Sequence, residues 1–433
     1  MKVCKGFHKA AVAMVLIGLL LSPLGIAAEL LTLEQAWALA ELANPELRAA
    51  QANLIAAKGQ AADARGLLWN NPQPFGEIVR RQIPEPGQPT NVRDWRVGLQ
   101  QTFETGGQQG IRRTLARENL AAVELAIADT RRRVRLDVAQ QFFRVLGLQQ
   151  RITMERETLA LIESAAGAVR KRVTEGEDTR LDGNLAEIEA ARARNQLALL
   201  LEQLLRARVE LASMLQLPPG QYPEVAGTLE PMPSRIDLQT LLASLEQRPD
   251  ITASAARLRA AFSQLRLERA TVSPDVTVAL SYGRDGSIFR DERVVGINVS
   301  VPIPLFRRNA TGIGRAITER TQREIEDTAL NRNARADIQA LSVQMENLRS
   351  RVERLRGSVL PLLEENQRLS QIALREGEIG LLQLLTVNRQ LLDGRRDLAE
   401  AQTELRLIEA LLDPRTGAPM TPPLSNPNTD SRP

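Results

Sequence analysis

The chain has 433 residues, of which 43% are hydrophobic, 25% are charged and only 3% are aromatic. Its single cysteine and single histidine, Cys4 and His8, both lie within residues 1–28, so the rest of the chain excludes disulfides, thiol or imidazole nucleophiles, and zinc or copper sites built on these side chains. Without the three lysines of that segment the net charge falls from +4 to +1, which gives no electrostatic support for nucleic-acid binding.

Residues 1–28 have the pattern of a secretory signal peptide. Three lysines precede an apolar run that ends near Leu21, and small residues follow up to Ala27 and Ala28, after either of which cleavage fits. The apolar run has about a dozen residues, whereas a membrane anchor needs roughly 20. We therefore expect export with cleavage rather than an anchor. Cys4 precedes the apolar run, so it is not the acylated cysteine of a lipoprotein.

The rest of the chain predicts a mainly α-helical fold with a small β part, built twice from one unit. LTLEQAWALAELANPEL at 31–47 corresponds to IDLQTLLASLEQRPDI at 236–251, about 200 residues later. The first repeat is expected over 29–217, with helices at 33–68, strands at about 73–103, a long helix at about 108–175 and a return helix at about 178–217. The second repeat is expected over 236–412, with helices at 237–272, strands at about 274–303, a long helix at about 310–376 and a return helix at about 380–412. A connector at 218–235 joins the two repeats, and a flexible Pro-rich tail follows at 413–433.

Alternating side chains identify the strands, most clearly in VVGINVSVPIPLF at 294–306. Every second residue there is apolar, and those between are small or polar, which is the period of a strand with one apolar face. The residues predicted to share that face across the strands are Trp95, Val97, Leu99, Phe103, Val278, Leu280, Tyr282, Val295, Ile297, Val299 and Val301. Aromatic residues near strand ends, including Phe289 and Phe306, fit an aromatic belt or packing in loops.

The length of these strands suggests a membrane barrel. About ten residues at 3.3 Å each, tilted by about 40°, cover roughly 25 Å, the apolar band of an outer-membrane barrel. Four strands cannot close, because the smallest such barrels have about eight. Copies of the chain must then pool their strands, and eight, twelve and sixteen all remain open. The alternative is a small soluble sheet packed on a helical bundle.

The long helices carry a seven-residue repeat typical of a coiled coil. Leu341, Leu348, Leu355, Leu362 and Leu369 follow one another at this spacing. A helix of about 67 residues forms a rod of roughly 100 Å. Pro361 lies inside the second rod and is expected to bend or loosen it.

The order and duplication of these features resemble TolC-type outer-membrane ducts, nearest to the CzcC-like members of heavy-metal efflux systems. The segments that carry the resemblance are Asn44-Pro45-Glu46, Asn71-Pro72, VPIPLFRRN at 301–309, and the glycine turns GEDTRLD at 176–182 and GEIGLLQLL at 377–385. The resemblance implies a homotrimer in the outer membrane of a Gram-negative bacterium. Twelve strands would form one β-barrel, continued by an α-helical barrel across the periplasm.

The same resemblance implies the function and the partners. The expected partners are a periplasmic adaptor (membrane fusion protein), an inner-membrane RND-type pump and outer-membrane lipid. The duct would catalyse no reaction and use no cofactor. It would export small solutes passively, and heavy-metal cations are the expected solutes. Two other hypotheses stay open. One is the exit duct of a type I protein secretion system or drug pump, and the other is a soluble periplasmic coiled-coil scaffold.

The two glycine turns are the candidate periplasmic entrance. The resemblance implies an acidic ring there, with Asp182 at the matching position of the first turn and Gln383 at that of the second. The other entrance candidates are Asp178, Arg180 and Glu378, and Arg180 is expected to pair with Asp182 or with an acid of a neighbouring chain. A solvated charged turn is the alternative. On the resemblance alone, Gly176, Gly377 and Leu381 are candidates for adaptor docking.

Overall fold

The structure, a computed structural model, describes residues 30–83, 90–232, 237–286 and 291–413. The predicted signal peptide, Phe289 and the tail beyond residue 413 lie outside these residues.

Two helices open the first repeat, α1 (Leu33–Ala43) and α2 (Pro45–Ala64). Asn44 separates them because its side-chain oxygen accepts the N–H groups of Glu46 and Leu47 at 2.9 and 3.2 Å. A capping side chain followed by proline is a strong start for a new helix. The helices predicted over 33–68 are therefore two, and the second ends at Ala64.

A long helix and a return helix complete the first repeat. They are α3 (Gln108–Glu175) and α4 (Arg180–Met214). The 68 residues of α3 make a rod of about 100 Å. Ala166 and Val169 of α3 are buried against Ala186 and Ala190 of α4, so the seam of this hairpin lies where the sequence repeat predicts it.

The second repeat has the same order with more interruptions. It comprises α5 (Leu238–Ser244), a 3₁₀ turn (Leu245–Gln247), α6 (Pro249–Ala270), α7 (Ala310–Arg354), a π-turn (Leu355–Val359), α8 (Leu360–Arg375) and α9 (Leu381–Leu412). The long helix predicted over 310–376 is thus broken by five residues of π-helix directly before Pro361. Proline has no N–H for the helical ladder, and such wide turns accommodate an extra residue.

The π-turn corrects the predicted seam of the second rod. Above it, Ile338, Met345 and Val352 are buried as expected. Below it, Leu362 and Leu369 are 66% and 49% exposed. Leu360 and Leu363 face α9 instead, with Leu363 Cδ1 only 2.6 Å from where a Cβ on Gly394 would stand. One extra residue rotates the following side chains by about 100°, which moves the seam by one position.

The core lies midway along the rods. One cluster joins α1, α3 and α4 to connector residues Val225 and Leu229, and a second joins α5 and α6 to α7 and α9. The connector is fixed at both ends, since Leu31 N–H donates to Glu224 O at 2.8 Å and Met232 N–H donates to the carboxylate of Glu409 at 3.0 Å. Glu409 is 1% exposed and pairs with Arg349 at 2.9 Å.

A four-stranded antiparallel sheet joins the two repeats. Its strands are β1 (Gln73–Ile83), β2 (Thr90–Phe103), β3 (Val276–Gly286) and β4 (Asp291–Ser300), hydrogen-bonded in the order β1-β2-β3-β4. The strand predicted to reach 303 is too long. It ends at Ser300, because Pro302 and Pro304 have no N–H to continue the ladder. Val301 and Ile303 therefore follow the strand rather than belonging to it.

Candidate functional site

One face of the sheet is apolar on all four strands. The β2–β3 register sets Leu99 opposite Leu280, and the β3–β4 register sets Leu280 opposite Ile297. Register partners share a face, so the members of this apolar face are Ile78, Trp95, Val97, Leu99, Phe103, Val276, Val278, Leu280, Tyr282, Val295, Ile297 and Val299. Most of them are exposed in the subunit, with exposed fractions of 82% for Ile78 and 76% for Val295, whereas Val276 and Val278 are half-buried. A continuous exposed apolar surface marks a contact with lipid or with another protein.

The other face of the sheet is polar and internally paired. Arg81 contacts the carboxylates of both Asp94 and Asp285, and its distance to Asp94 is 2.7 Å. Asp94 also accepts the N–H of Gly286 at 2.8 Å. Nearer the helices, Thr102 and Thr277 share a hydrogen bond of 2.8 Å. This face suits contact with water.

The aromatic residues of the apolar face lie towards its two ends. Trp95 and Tyr282 pack edge to face with their ring centroids 5.9 Å apart, close to the end that carries the strand turns. Phe103 is the last residue of β2, at the end that continues into the helices. Phe306 follows β4 and is fully exposed in the subunit. Aromatic residues at both limits of an apolar band are typical of membrane interfaces.

The first helical tip, at 176–182, is held by its own hydrogen bonds. Gly176 takes a φ of 84° and ends α3, and Glu177 N–H donates to Arg172 O at 2.8 Å. Asp178 pairs with Arg172 at 3.0 Å. Asp182 accepts the hydroxyl and N–H of Thr179 at 2.6 and 3.3 Å, while its own N–H donates to the Thr179 hydroxyl. Asp182 therefore completes a capping box rather than pairing with Arg180.

The second tip, at 377–383, repeats the turn but not the cap. Gly377 has a φ of 76°, and Glu378 N–H donates to Ala373 O at 2.8 Å, which matches the first tip. Gly380 is the N-cap of α9 and offers no side-chain hydrogen bond. Gln383, in the place of Asp182, uses its N–H to bond Gly380 O at 3.1 Å. Leu381 is the first residue of α9.

The two helical hairpins are joined to each other by a buried ion pair. Glu155 of α3 is 2% exposed as a residue and accepts the Arg396 Nε–H of α9 at 2.6 Å. Arg151 pairs with Glu400 at 3.1 Å a turn away. Towards the tips the hairpins diverge around a cavity of about 310 Å³ whose lining includes Ile162 and Leu392. The described residues contain no group of three or more acidic or soft side chains placed to hold a metal ion.

Comparison with known proteins identifies the family. A model described as "Outer membrane efflux protein" matches residues 86–216 and again residues 241–418. The chain belongs to this family. No helix in the described part of the chain has the length and apolarity to cross a membrane.

Several characterised proteins are similar to this member of the family. The cobalt-zinc-cadmium resistance protein CzcC of Cupriavidus metallidurans is 28% identical over 84% of this chain and 85% of its own. The nickel and cobalt resistance protein CnrC of the same organism is 26% identical over 66% and 65%. The pyoverdine export outer membrane protein OpmQ of Pseudomonas putida is 27% identical over 62% and 56%.

Solved structures of outer-membrane channels share the fold. VceC of Vibrio cholerae superimposes with a TM-score of 0.73 at 19% identity, over 89% of this chain and 96% of that one. CusC gives a TM-score of 0.70 at 20% identity, over 88% and 90%. These matches confirm the predicted mainly α fold with a small β part, and the resemblance to outer-membrane efflux ducts.

Sequence reasoning missed three features of this site. The Thr179-x-x-Asp182 capping box has a recognisable spacing, and the pattern S/T-x-x-D/E was its available signal. The Glu155–Arg396 pair joins residues 241 apart in the chain, and no local pattern indicates it. The pairing of Arg81 with two aspartates likewise depends on the register between different strands.

Proposed function

We propose that three copies of this efflux protein form a passive, water-filled duct that exports small solutes across the periplasm and outer membrane. The observation that carries the proposal is the open sheet with one exposed apolar face and one paired polar face. The apolar face suits hydrocarbon, and the polar face suits the lumen of a barrel.

The two edges of the sheet explain why several copies are needed. β1 and β4 each have a neighbour on one side only, so a row of backbone N–H and C=O groups is unpaired within the subunit. In lipid such groups must be satisfied, and closure of the sheet is the way to do so. The β1 edge of one copy therefore pairs with the β4 edge of the next. Four strands from each of three copies give a twelve-stranded barrel.

The proposed cargo is heavy-metal cations. Support comes from three similar proteins whose names state cobalt, zinc, cadmium or nickel resistance, of which CzcC is matched over most of its length. The second candidate is an organic solute, favoured by the similarity to a pyoverdine exporter. Exit of proteins or drugs would use the same fold.

The helical tips are the proposed periplasmic entrance. Asp178, Asp182 and Glu378 from three copies would surround one axis, and rings of carboxylates attract cations. The carboxylates of Asp178 and Asp182 are already engaged by Arg172 and Thr179, which leaves Glu378 as the exposed member. Arg180 and Gln383 complete this rim. Gly176, Gly377 and Leu381 mark the turns at which a periplasmic adaptor, and through it an RND-type pump, would dock.

Opening is proposed to separate the two hairpins of each subunit. The Glu155–Arg396 pair holds them together above the cavity, and removal of Arg396 leaves the buried carboxylate of Glu155 without its counter-ion. Such a loss is worth about 1–3 kcal/mol. Arg396→Gln should therefore favour the open state by about tenfold. Glu155→Gln should favour it less, because Arg396 keeps its pair with Asp393 at 3.2 Å.

Planar bilayers test both the duct and its opening. The purified protein, exported with its leader removed, should have the mass of three copies and give discrete conductance steps that Glu155→Gln and Arg396→Gln increase. The matched control is Glu163→Gln, because Glu163 pairs with Arg194 at 2.7 Å within one hairpin. The control should conduct like the wild type. A monomer that stays in buffer without detergent, or a trimer without conductance, would refute the duct.

A further inference from the structure

Four arginines lie on the apolar face of the sheet at the end that carries the strand turns. The β1–β2 register sets Arg80 opposite Arg93, and the β3–β4 register sets Arg284 opposite Arg293. Arg284 is also the partner of Trp95 in β2. The four therefore occupy two neighbouring rungs, and each strand supplies one. All four side chains are exposed.

The pairing of these arginines differs from that on the polar face. There, Arg81 contacts Asp94 and Asp285, and Arg96 lies 3.7 Å from Glu77. On the apolar face, by contrast, no carboxylate of the described residues lies within ion-pair distance of Arg80, Arg93 or Arg293. The sheet thus pairs its inward arginines with carboxylates, and it leaves Arg80, Arg93 and Arg293 for a ligand outside the subunit.

The position along the strand indicates which surroundings these arginines meet. Both repeats enter their long helix from the opposite end of the strands, so the arginines are farthest from the helices. Beyond Trp95 and Tyr282 the apolar band ends, and charged groups on a lipid-facing side are tolerated only near an interface. In the proposed duct this interface is the outer leaflet, which in Gram-negative bacteria is a glycolipid with phosphorylated sugars.

We propose that Arg80, Arg93 and Arg293 bind the phosphate groups of lipid A. The inference rests on the proposed outer-membrane duct. A guanidinium matches phosphate with two parallel hydrogen bonds, and clusters of basic residues near a membrane surface recognise anionic head groups. Pairing β1 of one copy with β4 of the next brings Arg80 and Arg293 of neighbouring copies together. The result is a continuous basic belt around the barrel.

The test is a titration of the purified full-length protein in neutral detergent with diphosphoryl lipid A, followed by native mass spectrometry. The variant is Arg80→Gln with Arg93→Gln and Arg293→Gln. Three exposed arginines of the helices provide a control with the same charge change: Arg156, Arg332 and Arg335, each changed to Gln. The variant should bind lipid A at least tenfold more weakly, and the control should bind like the wild type.

Further arms identify the ligand. Wild-type binding should weaken with added salt and should be lost with dephosphorylated lipid A, which tests the phosphate contact even where the triple variant fails to assemble. Equal binding of dephosphorylated lipid A, equal binding of phosphatidylglycerol, or an unchanged affinity of the assembled variant would each overturn the assignment. Conductance of the same preparations distinguishes the two proposals. A conducting trimer that binds lipids without selectivity would refute the basic belt but not the duct.

Discussion

The two repeats begin their corresponding helices, α2 and α6, with different side-chain contacts. At the start of α2, Asn44 caps the helix ahead of Pro45 and Glu46. At the corresponding start of α6, Arg248 cannot accept a hydrogen bond, and it instead donates two to Asp250 at 2.7 and 2.6 Å. The duplication thus preserves the backbone path, whereas the side-chain contacts have diverged.

The tips show the same division. Both long helices end at a glycine with positive φ, which is a backbone requirement that a side chain would strain. The return helices begin differently, with a capping box in α4 and an uncapped glycine in α9. The two repeats share the glycine turn that the backbone path requires. They differ in whether a side chain caps the return helix.

The sheet is where the repeats should be equivalent, and breaking it should give the largest effect. Leu99→Arg in the first repeat and Leu280→Arg in the second each place a charge near the middle of the apolar face, at a cost of about 2–4 kcal/mol per subunit. Both variants should lose most of the proposed trimer, measured as the mass of the purified protein in detergent, to a similar extent.

The matched control lies on the polar face of the sheet, at the residue that follows Leu99 in β2. Gln100→Arg adds the same charge beside Gln73, where water is available, and should leave the trimer intact. If Leu280→Arg assembled normally while Leu99→Arg did not, the two repeats would not share one lipid-facing surface.

The starts of α2 and α6 should respond unequally to loss of their acidic residue. Burial alone would raise the pKa of the Asp250 carboxyl, but hydrogen bonds from Arg248, the charge of Arg132 and the Ile251 N–H hold that pKa below its ordinary value. Asp250→Asn should therefore cost about 1–3 kcal/mol at neutral pH. The melting temperature should fall by about 2–4 °C.

The pH dependence gives this prediction its sign. Because the pKa of Asp250 is lowered by folding, its stabilisation is present above the unfolded value of about 3.9 and is lost as the pH falls through the folded one. The difference in melting temperature between wild type and Asp250→Asn should disappear over that range. Glu46→Gln, at the exposed matching position of α2, should change the melting temperature little at any pH. Equal effects of both variants would contradict the comparison.

The smallest predicted effects concern the tips. Thr179→Ala removes the cap of α4 and should cost about 1 kcal/mol, while Gly380→Ser creates a Ser-x-x-Gln capping box with Gln383 and should add a few tenths of a kcal/mol. Gly380 has an extended backbone, and a Cβ there meets no atom within 4 Å. Hydrogen exchange should become faster in the first turn of α4 and slower in that of α9. An unchanged rate in α9 would show that capping does not set the difference.

Sequence patterns were sufficient for the features that local chemistry determines. Alternation in Val295–Val299 predicted an apolar strand face because side chains on a strand point to alternate sides. The glycines of the tips predicted the turns because few other residues adopt positive φ. The matching positions of Asp182 and Gln383 have a local reason as well, since each is the third residue of its helix.

Other features depend on contacts between distant segments or on local departures from regularity. The seven-residue pattern continues unbroken through Leu362 and Leu369, and only the π-turn before Pro361 reveals that these side chains leave the seam. Similarly, the arginines of the apolar face are separate residues in the sequence. The register of four strands brings them together at one end.

The π-turn gives the second rod two differently directed leucine rows from one continuous pattern. Above the turn the row fastens α7 to its own subunit, and below it the same periodicity presents Leu362 and Leu369 to whatever stands beside the subunit. A single π-turn thus separates a leucine row that packs within the subunit from one that is exposed on its surface. The first rod is a continuous α-helix from Gln108 to Glu175, so the two hairpins of the subunit are chemically unlike even though the chain path repeats.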